Sequence, residues 1–131
     1  MANIKHLEMA EAFCALPQVE IKKSLFGLKT SITYKSTQSN IQVVQNEYDV
    51  NNGKLIEELL LCPPEKLAEE AGKKNITSAG IGKMRLDVCV SEDKQFIAAQ
   101  LLQFVDFNYV PITDMKVFEG KAAEAFAQTI A

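Results

Sequence analysis

Phe96-Ile-Ala-Ala-Gln-Leu-Leu-Gln-Phe-Val-Asp-Phe-Asn-Tyr-Val-Pro-Ile112 is the stretch whose reading decides the fold. It carries one formal charge, Asp106. Read as extended chain, one face shows Ile97, Ala99, Leu101, Val105, Phe107 and Tyr109, and the other Phe96, Ala98, Leu102, Phe104 and Val110. A strand with one wetted face alternates apolar with polar residues. This run barely alternates, so both of its faces need cover, and in a small chain the second cover is expected from another copy or a partner. The competing reading is a helix started by Ser91, with acidic residues in its first turn and Ala98 to Leu102 behind. That would make 84–112 a β-α-β unit. The strand formers Phe104, Val105, Phe107, Tyr109 and Val110 continue without a helix stop and favour a long hairpin strand.

The segment before it supports this. Met84, Leu86, Val88 and Val90 alternate with Arg85, Asp87 and Cys89, the cleanest one-faced strand in the chain. Farther back, Val19, Ile21 and Leu25 alternate with Glu20, Lys22 and Ser24. Gly27 stands near a bend, and Leu28, Thr30, Ile32 and Tyr34 form a second strand. Polar residues 36–40 make a turn, and a third strand runs over 41–50.

Helices are expected at four places. Residues 3–16 have Asn3 as cap, an apolar side of Ile4, Leu7, Ala10 and Cys14, and Pro17 as stop. Residues 54–61 are capped from Asn51 or Asn52. Pro64 and Glu65 restart a helix that ends at Gly72, with Lys73 and Lys74 at its negative end. Residues 75–82 read as a loop. Thr113 caps a last helix with Met115, Phe118, Ala122, Ala125 and Phe126 at helical spacing, unless Gly120 divides it into a short strand and a helix from Lys121.

The sum is a single α+β domain over 1–131. It has an antiparallel sheet of about five strands and helices on one face, in the order α-β-β-β-α-α-β-β-α. The chain has 131 residues, 47% hydrophobic and 24% charged, which suits one domain with its own core. A net charge of -3 and no basic run longer than a pair argue against nucleic acid. Three widely spaced cysteines, Cys14, Cys62 and Cys89, suit packing in a reducing cytoplasm better than a disulfide framework. With no Cys-x-x-Cys and a single histidine, His6, zinc is not expected. The opening Met-Ala-Asn-Ile-Lys-His lacks the apolar core of a signal peptide, no stretch is apolar enough to span a membrane, and Asn75-Ile-Thr77 reads as a chance sequon.

Chemical motifs are weak. Ala79-Gly-Ile-Gly-Lys83 lacks the preceding strand and following helix that a phosphate loop needs. His6 lies beside Phe13 on the apolar side of its helix and has no nucleophile to pair with. Cys62 stands at a helix break, where a thiol pKa can fall. Asp106, inside an apolar run, would titrate high if buried in a pocket facing Glu47, Asp49 or Asp87, and otherwise marks an exit into solvent. No cofactor is implied.

An interaction surface is the stronger expectation, with Leu102, Phe104, Phe107 and Tyr109 as its candidate residues and a homodimer or protein partner as its occupant. The segment 3–16, the strand pair 84–90 and 96–105, and the C-terminal helix give an element order similar to small type III secretion chaperones. That resemblance implies a dimeric α+β protein that binds extended effector segments, although the loop before the last helix is longer here. A cavity between sheet and helices, with Asp106 or Tyr109 inside, would instead indicate a small-molecule binder or enzyme.

Overall fold

Met84 to Ser91 sits near the middle of the sheet, and its burial changes along its length. Met84, Leu86 and Val88 are buried on one face while Arg85 and Asp87 stay part-exposed on the other; at Cys89 and Ser91 that second face is buried too. The reason lies in the architecture of the computed structural model, which describes residues 3–4, 11–23, 30–77 and 83–130.

In chain order the elements are β1 (Asn3–Ile4), α1 (Glu11–Cys14), β2 (Val19–Lys23), β3 (Thr30–Tyr34), β4 (Ser39–Tyr48) and α2 (Val50–Leu60). A 3₁₀ turn (Pro64–Lys66) leads into α3 (Leu67–Gly72), followed by β5 (Met84–Ser91), β6 (Phe96–Val105), β7 (Asn108–Pro111), β8 (Lys116–Glu119) and α4 (Lys121–Ile130). The α+β class holds and every described strand pairing is antiparallel. The path through the sheet is β2-β3-β4-β5-β6-β7, with β1 beside β4 and β8 beside β6. The described residues thus hold eight strands rather than about five.

One face of the β4-β5-β6 sheet carries α2, α3 and α4. Their side chains Ile56, Leu59, Leu60, Leu67, Ala71, Ala123 and Phe126 pack on Leu86, Val88, Ile97, Ala99 and Leu101. The other face is not left for a partner, as the sequence reading required. Phe13 and Val19 fold over it with Tyr34, burying Val43, Cys89, Phe96 and Ala98. Tyr34 stacks on Phe96 at 4.9 Å, and its hydroxyl donates to Glu119 at 2.9 Å. The strand 96–99 is therefore doubly sheltered, and the chain itself supplies both covers. Helices are accordingly not confined to one face, since α1 belongs to the second core.

Local chemistry explains the element ends. Asp49, not Asn51 or Asn52, caps α2: its carboxylate accepts the Asn52 N–H at 2.8 Å. Buried Asn52 then accepts from Thr77 N at 3.1 Å and ties the returning loop to the helix. Pro64 does open the restart, as a 3₁₀ turn continuing into α3. Ser91 acts as a hairpin lock instead of a helix cap. Its hydroxyl donates to Asp93 at 2.6 Å and accepts from Phe96 N at 3.1 Å. That bond comes first among the causes holding the Asp93 carboxyl below its usual range.

Three expectations change. The run 96–112 is two strands joined by a turn at Asp106-Phe107, so the faces assigned beyond residue 105 do not continue. Among the described residues the first helix covers Glu11–Cys14, and Asn3–Ile4 is a strand paired with Gln45 and Val44, so the helix does not begin at Asn3; residues 5–10 and the bend at Gly27 lie outside the described residues. The last helix does not start at Thr113. Thr113 Oγ1 accepts from Leu101 N at 3.1 Å and holds the chain along β6, β8 follows, and Gly120 turns into α4 with φ +66.

Gly120 separates the two readings of this end. In one continuous helix, Gly120→Ala would add stability. At φ +66 a side chain is strained, so the substitution should lower unfolding free energy by about 1 kcal/mol in chemical denaturation.

Candidate interaction surface

The β6–β7 hairpin closes through a two-residue loop in which both residues have positive φ, Asp106 at 49° and Phe107 at 67°. Such loops match the twist of the flanking strands, but their second position strongly prefers glycine. Aspartate tolerates the left-handed region; a bulky phenylalanine is costly there. Phe107 nevertheless occupies it and is 92% exposed.

Cross-strand pairing sorts the neighbouring side chains. Leu102 lies opposite Pro111 and Phe104 opposite Tyr109 on one face; Gln103 lies opposite Val110 and Val105 opposite Asn108 on the other. On the first face Phe104 packs against Tyr109 at 5.2 Å and meets Phe107 edge-on at 6.5 Å. The Arg85 guanidinium lies 4.4 Å from the Tyr109 ring centre while its Nε and Nη2 donate to both Asp87 oxygens, at 2.8 and 3.0 Å. Tyr109 also donates to Glu47 at 3.4 Å. This cluster pins β7 from β4 and β5. Arg85 is spent on Asp87 and on a ring face, which describes a brace better than a ligand site.

On the second face Val105, Val110 and Ile112 are exposed, and Ile112 and Leu61 border an open groove of about 430 Å³ whose other walls, Glu57, Gln100, Thr113, Asp114 and Lys116 beside Pro111, are mostly polar. Leu61 caps the C-terminal end of α2 and is 67% exposed. Of the eight exposed large hydrophobic residues among those described, five fall within 104–112, and Leu61 adjoins them. Single exposed apolar residues are ordinary; five within one hairpin, divided between its two faces, are a concentration.

Phe104, Phe107 and Tyr109, expected at an interface, do come together. Leu102 does not join the surface, because it is only 6% exposed within its own chain. Asp106 stands in the exposed turn, away from its supposed partners: Asp87 is forked to Arg85, Glu47 receives Tyr109, and Asp49 caps α2. Leu61 and the Arg85 brace were missed, since residues 85 and 109 are far apart in sequence and no periodicity links them.

Among the described residues no three His, Cys, Asp or Glu side chains gather to hold a metal. Cys14, Cys62 and Cys89 form no disulfide, and burial, with the nearby Cys14, pushes the Cys89 thiol up to about 12. No described helix is long and apolar enough to cross a membrane. His6 and the glycines at 80 and 82 lie outside the described residues. No family model, curated protein or solved structure matches the chain.

All three tyrosines of the chain are held above the usual phenol value near 10, Tyr48 and Tyr34 chiefly by burial, Tyr109 by burial and then by Glu47. The folded state therefore keeps these protons longer than the unfolded state. Stability from this source is complete below pH 10 and is lost as pH rises through the folded values. With no tryptophan to interfere, absorbance at 295 nm should show all three phenols ionising above pH 10, with unfolding following on. A phenol titrating at its ordinary value in the folded chain would contradict the assignment.

Proposed function

We propose that this chain is a protein-binding or adaptor protein without chemistry of its own, working as a homodimer through the β6–β7 hairpin and the adjoining end of α2. Phe107 carries the reading. A fully exposed aromatic ring in a left-handed position costs stability in the monomer, of order 1–3 kcal/mol for such strained residues. Glycine would remove both the strain and the exposed ring, so the ring's presence there is explained by a contact outside the monomer. The surrounding residues support this: Phe104, Val105, Val110, Ile112 and Leu61 continue the apolar surface, and aromatic anchors ringed by aliphatic side chains are the usual centres of protein contacts.

A small-molecule or catalytic role has less support, because Asp106 and Tyr109 do not converge in an enclosed cavity and Arg85 is already paired. Of the element order that suggested a likeness to secretion chaperones, the central hairpin and the C-terminal helix are present, while Asn3–Ile4, expected to open the first helix, is a strand.

Phe107→Gly separates fold from function. Sedimentation velocity should find the natural chain reversibly dimeric at tens of micromolar, on the order expected for a small interface. The variant should be monomeric and about 1 kcal/mol more stable, because Asp-Gly suits this turn. A natural chain that stays monomeric at high concentration would refute the homodimer. An equally dimeric variant would remove Phe107 from the surface.

A further inference from the structure

No further inference is drawn: the strongest candidate, the thiols of half-buried Cys14 and buried Cys89 in the second core as a redox pair, carries nothing, because shared packing and the upward shift of the Cys89 thiol do not set the two sulfurs at disulfide distance.

Discussion

Strand β6 lies between two hydrophobic cores, and the rest of the structure follows from that position. Ile97, Ala99 and Leu101 face the helices; Phe96 and Ala98 face the layer built by α1 and the β2–β3 hairpin. All five are fully buried. Each large side chain so buried contributes on the order of 1.5–3 kcal/mol relative to exposure, so the strand couples the two halves of the chain. Because it serves both, neither the N-terminal segment nor the helical layer can be packed correctly without it. The small residues Ala98 and Ala99 at its middle are what allow both layers to come close.

The shelter runs out toward the far end. Beyond Leu102 neither layer extends over β6, so Phe104 and Val105 emerge and the chain turns back at Asp106-Phe107. The brace of Arg85, Asp87, Glu47 and Tyr109 keeps β7 on the sheet where the core no longer does. One continuous strand thus passes from complete burial to an exposed apolar tip. The fold's chief source of stability and its candidate contact surface are consecutive parts of one sequence.

Much of this could be read from pattern. The lack of alternation in 96–105 gave the doubly covered strand, Met84 to Val90 gave its neighbour, and Pro64 gave the helix restart. What could not be read is which cover came from where. Val19, Ile21 and Ile32 announce strands, but no local rule says that their hairpin folds over β6 instead of extending the sheet flat. The second cover was therefore assigned to another molecule. The turn at 106–107 was hidden for a related reason: Asp-Phe is not a turn dipeptide of the usual Asn-Gly or Asp-Gly kind, and the apolar run continues through it. That mismatch between local preference and actual geometry is what motivates the proposed contact surface. Leu102 shows the opposite error, a residue assigned to the surface that the chain keeps for its own interior.

Native-state hydrogen exchange, at concentrations where the chain is monomeric, tests the internal double cover most directly. If both layers belong to the chain, the hydrogen-bonded amides between Ile97 and Leu101 should exchange only through global unfolding, with the full denaturant dependence of that transition. Exchange of those amides through a smaller opening, with protection restored only by association, would show that the second cover comes from another molecule.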